Sequence, residues 1–269
     1  MSVVRFESFG LNALLLQPPR PMRRIHHHQE VELNFLFRGH VTYLYRGEIR
    51  RLEAGRLTVF WGAMPHSLVE ASEDGQMAWL TVPLAWILGW GLPEEFMRNL
   101  LRGEWAIAPP RCGERFPVRE WVKEMADASQ PHKRVLLLEF QACLLWLAHR
   151  GRAAARASRG ASDLMPIERM ARVMAERFHE DLPVRAIASA ANLHPNYAMT
   201  LFRRACGITL RDYLQQHRLA RAQQLLLTSD AKVIDVALES GFGSASAFYA
   251  TFARILRETP ESYRQRMRI

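Results

Sequence analysis

Cysteine is scarce in this chain. Cys112, Cys143 and Cys206 are the only three in 269 residues, far apart and with no CxxC spacing. That pattern excludes a disulfide framework and a thiolate zinc finger, and fits free thiols in a reducing cytosol. Long apolar runs are missing too. The most apolar stretch, residues 77–92, is interrupted by Pro83 and by glycines. It falls short of the ~20 residues that a membrane-spanning helix needs. The first ten residues carry charge where a secretory leader has its apolar core, so the expectation is a cytoplasmic protein with no membrane partner. Acidic residues are also in short supply: 27 Asp and Glu face 36 Lys and Arg, for a formal net charge of +9 and a pI of about 10.1. Such an excess favours a polyanionic partner, nucleic acid before membrane. With 49% hydrophobic residues the chain can bury real cores, which excludes disorder as a global description.

The N-terminal part is punctuated like an antiparallel β-domain. Residues 31–37, 41–45, 48–52, 57–61 and 77–82 are short runs rich in β-branched and aromatic residues, separated by turn signals at Arg38-Gly39, Arg46-Gly47 and Ala54-Gly55. Strands this short and frequent predict a small barrel or sandwich. Helical patterns follow at 117–128 and 131–150, each opening on a proline suited to a first helical turn. The second carries Val135, Leu138, Ala142, Leu145 and Trp146 at helical spacing, an apolar surplus that calls for the β-region or a second copy of the chain. Residues 151–162, GRAAARASRGAS, read as a flexible linker, and the chain reads as all-helical from Asp163 onward. The predicted fold class is α+β multidomain. A β-barrel occupies 1–110, accessory or dimerisation helices 111–150, the linker 151–162 and an all-α region 163–269.

The helical region contains an internal repeat. Phe202, Gly207, Thr209 and Tyr213 recur fifty residues on as Phe252, Arg257, Thr259 and Tyr263. Earlier in each copy the offset is 49, pairing Ala188 with Ala237, Asn192 with Gly241 and Leu193 with Phe242, so the second copy holds one extra residue near Gly243. Each copy reads as helix, tight turn, helix. In the first, Asp181 is the predicted N-cap and Pro183 lies in the opening turn. Val184, Ile187 and Ala188 face inward, Asn192-Leu193 make the turn, and a second helix runs from Pro195 to about Cys206. In the second, Asp230 precedes the helix of Val233, Val236 and Ala237. Gly241 turns the chain, and Ser244 caps a helix over 245–256. Small residues at Ala188 and Ala237 suit a close helix crossing.

These residues resemble the paired helix-turn-helix module of the AraC/XylS family of transcription regulators. The matching positions are Ala188, Pro195, Tyr197, Phe202, Arg203 and Gly207 in the first unit. Tyr213-Leu214, Arg218-Leu219, Ala222 and Leu225-Leu226 match the connecting helix. Ala237, Gly241-Phe242, Ser246, Phe248, Phe252, Thr259-Pro260 and Tyr263-Arg264 match the second unit. Arg257 departs from the pattern, standing where the family usually has a glycine that stops the helix in a left-handed conformation. The resemblance implies double-stranded promoter DNA as partner, with RNA polymerase as a second. Each second helix enters the major groove, and a connecting helix over 210–227 holds the two units roughly 34 Å apart, about one turn of duplex. With Ala198, Leu201, Phe202 and Ala205 turned to the core, Asn196, Met199, Thr200 and Arg203 face DNA. Asn196 suits adenine, Thr200 a base edge or thymine methyl, and Arg203 phosphate. In the second unit Phe248, Thr251, Phe252 and Ile255 go inward. Ser246, Tyr249, Ala250 and Ala253 then face the groove, with Ser244 and Arg254 completing the DNA-facing set. These are poor bidentate readers, so the first unit should carry most hydrogen-bonded specificity and the second read methyl groups and DNA shape.

In the N-terminal region His26, His28, Glu32 and Gly39 follow a spacing similar to the first cupin motif, and His66 after Pro65 resembles its later histidine. Histidines two apart on a strand share a face, so imidazoles and a carboxylate can converge inside a barrel. His27 should point the other way, to solvent. Two readings stay open for the cluster, a metal site and a metal-free polar core of the kind that sensor cupins on this DNA-binding module often show. The expectation is no metal and no cofactor. His28, Glu32, Asn34 and His66 as polar anchors, with Tyr43, Trp61 and Trp79 as stacking faces, suit a small effector such as a disaccharide. The segments EVELNFLFRGHVTYLYRGE and TVFWGAMPHSLVE resemble regulators of melibiose-type and other disaccharide operons. The leading expectation is a ligand-responsive activator. Its rivals are a metal-dependent cupin enzyme fused to a DNA-binding tail and a constitutive architectural DNA binder.

Overall fold

The computed structural model describes residues 10–22, 24–109, 115–127, 130–150, 152–153 and 165–267. Cys112 and all but Arg152 and Ala153 of the expected linker lie outside the described residues.

Strands β1 (Asn12–Leu16), β2 (Glu30–Arg38), β3 (His40–Tyr45), β4 (Glu48–Glu53), β5 (Leu57–Trp61), β6 (His66–Ala71), β7 (Gln76–Pro83), β8 (Ala106–Ile107) and β9 (Arg152–Ala153) build the N-terminal region. They pair as two separate ladders, a six-stranded sheet in the order β1-β7-β2-β5-β8-β9 and a three-stranded sheet in the order β4-β3-β6. Among the described residues the expected barrel is therefore not closed by hydrogen bonds. The chain changes sheet at Gly39, where φ is 73°, so β2 and β3 are consecutive in sequence yet do not pair. From Glu30 to Leu36 every residue of β2 is buried, because the strand is covered on both faces. His27 is buried as well, at 1% exposure, which corrects the solvent-facing position expected for it. Residues 26–29 hold no regular strand, so the alternation rule had no sheet face to act on.

Helices α1 (Leu84–Leu88), α2 (Glu94–Leu101), α3 (Val118–Asp127) and α4 (Gln130–Arg150) pack around the sheets. The core face of α4 is Leu136, Phe140, Cys143, Leu144 and Leu147, with Phe140 set edge-on to Trp121 of α3 at 4.8 Å. Of the expected stripe, Leu145 and Trp146 are half-buried against this core, whereas Val135 is 51% and Leu138 59% exposed. Apolar residues occupy both faces of this helix, so spacing alone did not choose between them.

The C-terminal region contains α5 (Met165–Arg177), α6 (Val184–Ala190), α7 (Pro195–Cys206), α8 (Leu210–Thr228), α9 (Val233–Glu239), α10 (Ala245–Leu256) and α11 (Pro260–Met267). The repeat is visible in the packing. The Phe202 ring meets Tyr213 at 5.4 Å, and the Phe252 ring meets Tyr263 at 5.5 Å. Asn192 and Gly241 make the two turns with φ of 57° and 83°. Asp181 is not the cap of α6; Pro183 holds that position with no side-chain hydrogen bond, because the chain is still extended there.

The two regions share a core. Ile25 and Leu44 of the β-region are buried in one apolar cluster with Met170, Met174, Phe202 and Cys206. The Ile25 amide donates to the Cys206 carbonyl at 2.8 Å, satisfying one of the open carbonyls at the end of α7. At the β3–β4 turn Gly47 has φ of 79°, and a Cβ there would sit 2.5 Å from the backbone of Ala171 and Arg172 in α5. Only glycine lets the hairpin tip approach that helix so closely.

Candidate functional site

Helix α7 presents one exposed face. Asn196, Met199, Thr200 and Arg203 are all on it, while Ala198 and Phe202 are buried and Leu201 half-buried. Ala205, expected in the core, is exposed, because the last turn turns Phe202 and Cys206 inward and leaves Ala205 beside that stripe. Thr200 Oγ1 donates to the Asn196 carbonyl at 3.0 Å, which leaves its lone pairs and methyl group outward. His194, which the sequence reading passed over, caps the helix by accepting from the Asn196 amide at 3.4 Å. Tyr197 and Arg204 also stand exposed beside this face, seven positions apart and hence on one side of the helix. The family match at Tyr197 was the signal that marked this flank.

Helix α10 is the second exposed reader. Ser244 caps it by accepting from the Ala247 amide at 3.2 Å. Ser246, Tyr249, Ala250, Ala253 and Arg254 are exposed, and Phe248, Thr251, Phe252 and Ile255 are buried. The Tyr249 hydroxyl donates to Glu261, so the outward group there is the ring rather than a free hydroxyl. Each unit is tied to its neighbour helix by an arginine. Arg218 of α8 reaches the carbonyls of Phe178 and Glu180 at 2.7 and 2.8 Å, ahead of α6. Arg264 of α11 reaches those of Leu226 and Ala231 at 3.3 and 2.7 Å, ahead of α9. Helix α8, buried along most of its length, is the strut between the units.

Between the sheets lies a buried polar cluster. Glu32 Oε1 stands 2.8 Å from His28 Nε2 and 3.1 Å from His66 Nε2, and Asn34 Nδ2 donates to Glu32 Oε2 at 3.0 Å. An isolated bridge between His26 and His66 brings the His26 ring to 4.2 Å from that of His66. Gly62 makes room for His28: a Cβ there would lie 2.1 Å from the imidazole. Burial works against the Glu32 carboxylate, but the charge of His66 and the hydrogen bonds from both histidines outweigh it and hold its pKa well below the usual range. For His28 burial is likewise outweighed, here by hydrogen bonds to Glu30 and Glu32, and its pKa rises to about 9. His26 is pushed well below 6.5 by burial and by its neighbours His66 and His28, and burial takes His27 down to about 3.

Residues 187–266 match the helix-turn-helix domain family. The melibiose operon regulatory protein of Escherichia coli is 27% identical over 258 residues, covering 92% of this chain and 85% of its own. Over most of its length this chain is similar to a transcription regulator, and its residues 187–266 form a helix-turn-helix domain. An HTH-type transcriptional regulator of Staphylococcus aureus is 31% identical over 87 residues, 32% of this chain and 12% of that protein. Among solved structures, the DNA-binding domain of AdpA in complex with a target DNA is 33% identical over 38% of this chain and 90% of its own, with a TM-score of 0.35. ToxT of Vibrio cholerae is 12% identical over 96% and 97% of the two chains, with a TM-score of 0.40.

This chain is a DNA-binding transcription regulator. Among the described residues no helix is long and apolar enough to cross a membrane. The structure brings His28, Glu32, Asn34 and His66 together as one hydrogen-bonded set. The aromatic residues expected beside them are packed into the surrounding core on other partners. Tyr43 lies 5.9 Å from both Phe60 and Trp105, and Trp61 Nε1 donates to the Gln29 carbonyl at 3.3 Å. Trp79 is buried in the sheet, with Asn34 as its cross-strand partner. A cleft of about 490 Å³ opens where the two regions meet, lined by Arg46, Arg102, His179, His217 and Arg221, none of which the sequence reading marked.

Proposed function

We propose that this regulator is ligand-responsive and activates a carbohydrate-utilisation operon, taking a small sugar such as a disaccharide as effector in its β-region. The observation that carries the reading is a likeness to the melibiose operon regulatory protein that spans 92% of this chain, the β-region included. The buried set of His28, Glu32, Asn34 and His66 supplies the polar anchors, with Tyr43, Trp61 and Trp79 as apolar walls. These side chains already pack on one another, so an effector enters by parting the sheets. It shifts the regulator between two states by the difference in its affinity for them. In this reading the domains are 1–110 for sensing, 111–150 for accessory helices, 151–162 as linker and 163–269 for DNA. The exposed Val135–Leu138 side of α4 joins two copies, which sedimentation of the purified chain tests, and the activator contacts RNA polymerase at the cytoplasmic promoter.

On DNA, Asn196, Met199 and Thr200 read bases, Arg203 and Arg254 meet phosphate, and Ser244, Ser246, Tyr249 and Ala250 line the second groove segment. Asn196→Ala should cost about 1–3 kcal/mol at its base pair, and Arg254→Ala should weaken all sequences alike and lower the salt slope by about 1. A base-substitution scan of the preferred duplex decides the order of the two units. Larger losses in the half read by α10 than in the half read by α7 would reverse it. A thermal-shift screen of mono- and disaccharides decides the effector. At least one sugar should raise the midpoint in proportion to occupancy, and no shift with any of them would refute the sugar reading.

A further inference from the structure

The hydrogen bonds around the buried cluster fix which ring nitrogens face one another. His66 Nδ1 lies 2.8 Å from the Met64 carbonyl, which only accepts, so that nitrogen carries a proton. His28 Nδ1 lies 3.2 Å from Glu30 Oε2, which the Gly10 amide holds in place through the other oxygen at 2.9 Å. Both imidazoles therefore aim Nε2 at one atom, Glu32 Oε1. Each Nε2 therefore meets the carboxylate through a positive charge, either a second ring proton or a metal ion in its place. Outer hydrogen bonds that fix the tautomer and turn a histidine nitrogen inward are the arrangement that accompanies metal-bound histidine.

His26 completes the set. One donor atom from each of His26, His28, Glu32 and His66 lies within 4.8 Å of every other, all four residues being buried. Ligands about 2 Å from a shared ion stand at most about 4 Å apart, so the cluster has to close by roughly an ångström to grip one. Three imidazoles and one carboxylate suit a divalent transition metal of intermediate softness.

The place of His26 in the chain gives such an ion a route to DNA. Its neighbour Ile25 is the residue whose amide holds the Cys206 carbonyl at the end of α7 and whose side chain fills the core of the first helix-turn-helix unit. We infer that His26, His28, Glu32 and His66 bind one divalent transition-metal ion, and that its capture fixes the 25–28 segment and so sets the position of the reading helix α7. The regulator then answers to a metal ion as well as to the effector proposed above, and the two inputs are separable.

The test uses the untagged full-length chain with Co²⁺ alone as probe. One equivalent per chain should bind and give visible d–d absorption. Glu32→Gln and His66→Gln should abolish the signal, with far-UV circular dichroism showing the variants folded, and His27→Gln should keep it. Affinity for the best duplex recovered from a random pool should change at least about 5-fold when Co²⁺ is added, the lower edge of ordinary site-to-site coupling. Ile25→Pro, which deletes the amide donor, should keep the absorption and lose that change. No stoichiometric uptake by the native chain overturns the inference whether or not the variants fold. Equal uptake by folded Glu32→Gln, or uptake that leaves DNA affinity unmoved, overturns it too. A chain that binds Co²⁺ but no sugar would sink the carbohydrate reading and leave this one standing.

Discussion

A single side chain, His217, shows what burial does to charge in this molecule. It sits on α8 with its ring 4.7 Å from Tyr213 and 6.3 Å from Phe178. Burial, reinforced by the nearby Arg46, lowers its pKa from 6.5 to about 3. The unfolded chain takes up a proton as pH falls through 6.5, and the folded chain does not until about 3. The stability this group contributes is therefore complete above pH 6.5 and is lost as pH falls toward 3. In that window the loss is at most about 1.4 kcal/mol per pH unit for one proton. His217→Gln removes the site, so its denaturation midpoint should decline less than that of the native chain between about pH 7 and about pH 5. Equal declines would mean that His217 is protonated in the folded state.

At the scale of elements the two repeats end their reading helices in the same way with different residues. Gly207 closes α7 at φ 69°, its amide bonded to the Arg203 carbonyl at 2.9 Å. Arg257 closes α10 at φ 62° and ψ 23°, its amide bonded to the Ala253 carbonyl at 3.0 Å. The left-handed stop survives the loss of glycine at a cost on the order of 1 kcal/mol for a residue with a Cβ. Arg257→Gly should raise the melting temperature by a few degrees, and an unchanged or lower value would show that the arginine finds compensation in the native state.

The reading units were legible because the sequence states them twice. A periodic pattern that recurs at 49 and 50 residues marks the turns, the inward Phe202 and Phe252 and the Ser244 cap. Strands β1 and β6 were not legible. β1 carries Leu14 and Leu15 exposed on a sheet edge, against the inside-out rule, and β6 follows a proline and opens on a buried histidine. The cluster was half legible. Spacing put His28, Glu32 and His66 in one place, but the convergence of two Nε2 atoms on one oxygen depends on Met64 and Glu30, which no pattern marked.

For the molecule as a whole, the seam between the regions decides what counts as a self-sufficient piece. Cutting the chain between 154 and 164 would not free a complete reader. Ile25 and Leu44 would leave with the other half, taking the plug out of the core around Met170, Met174 and Phe202 and stripping the Cys206 carbonyl of its donor. The liberated fragment should expose greasy surface and clump, recovering only when mixed with its severed complement. A protein engineer transplanting this reader onto a foreign sensor would have to bring along the tongue around Ile25 and the hairpin at Gly47, since each belongs to the reader as much as to the sensor.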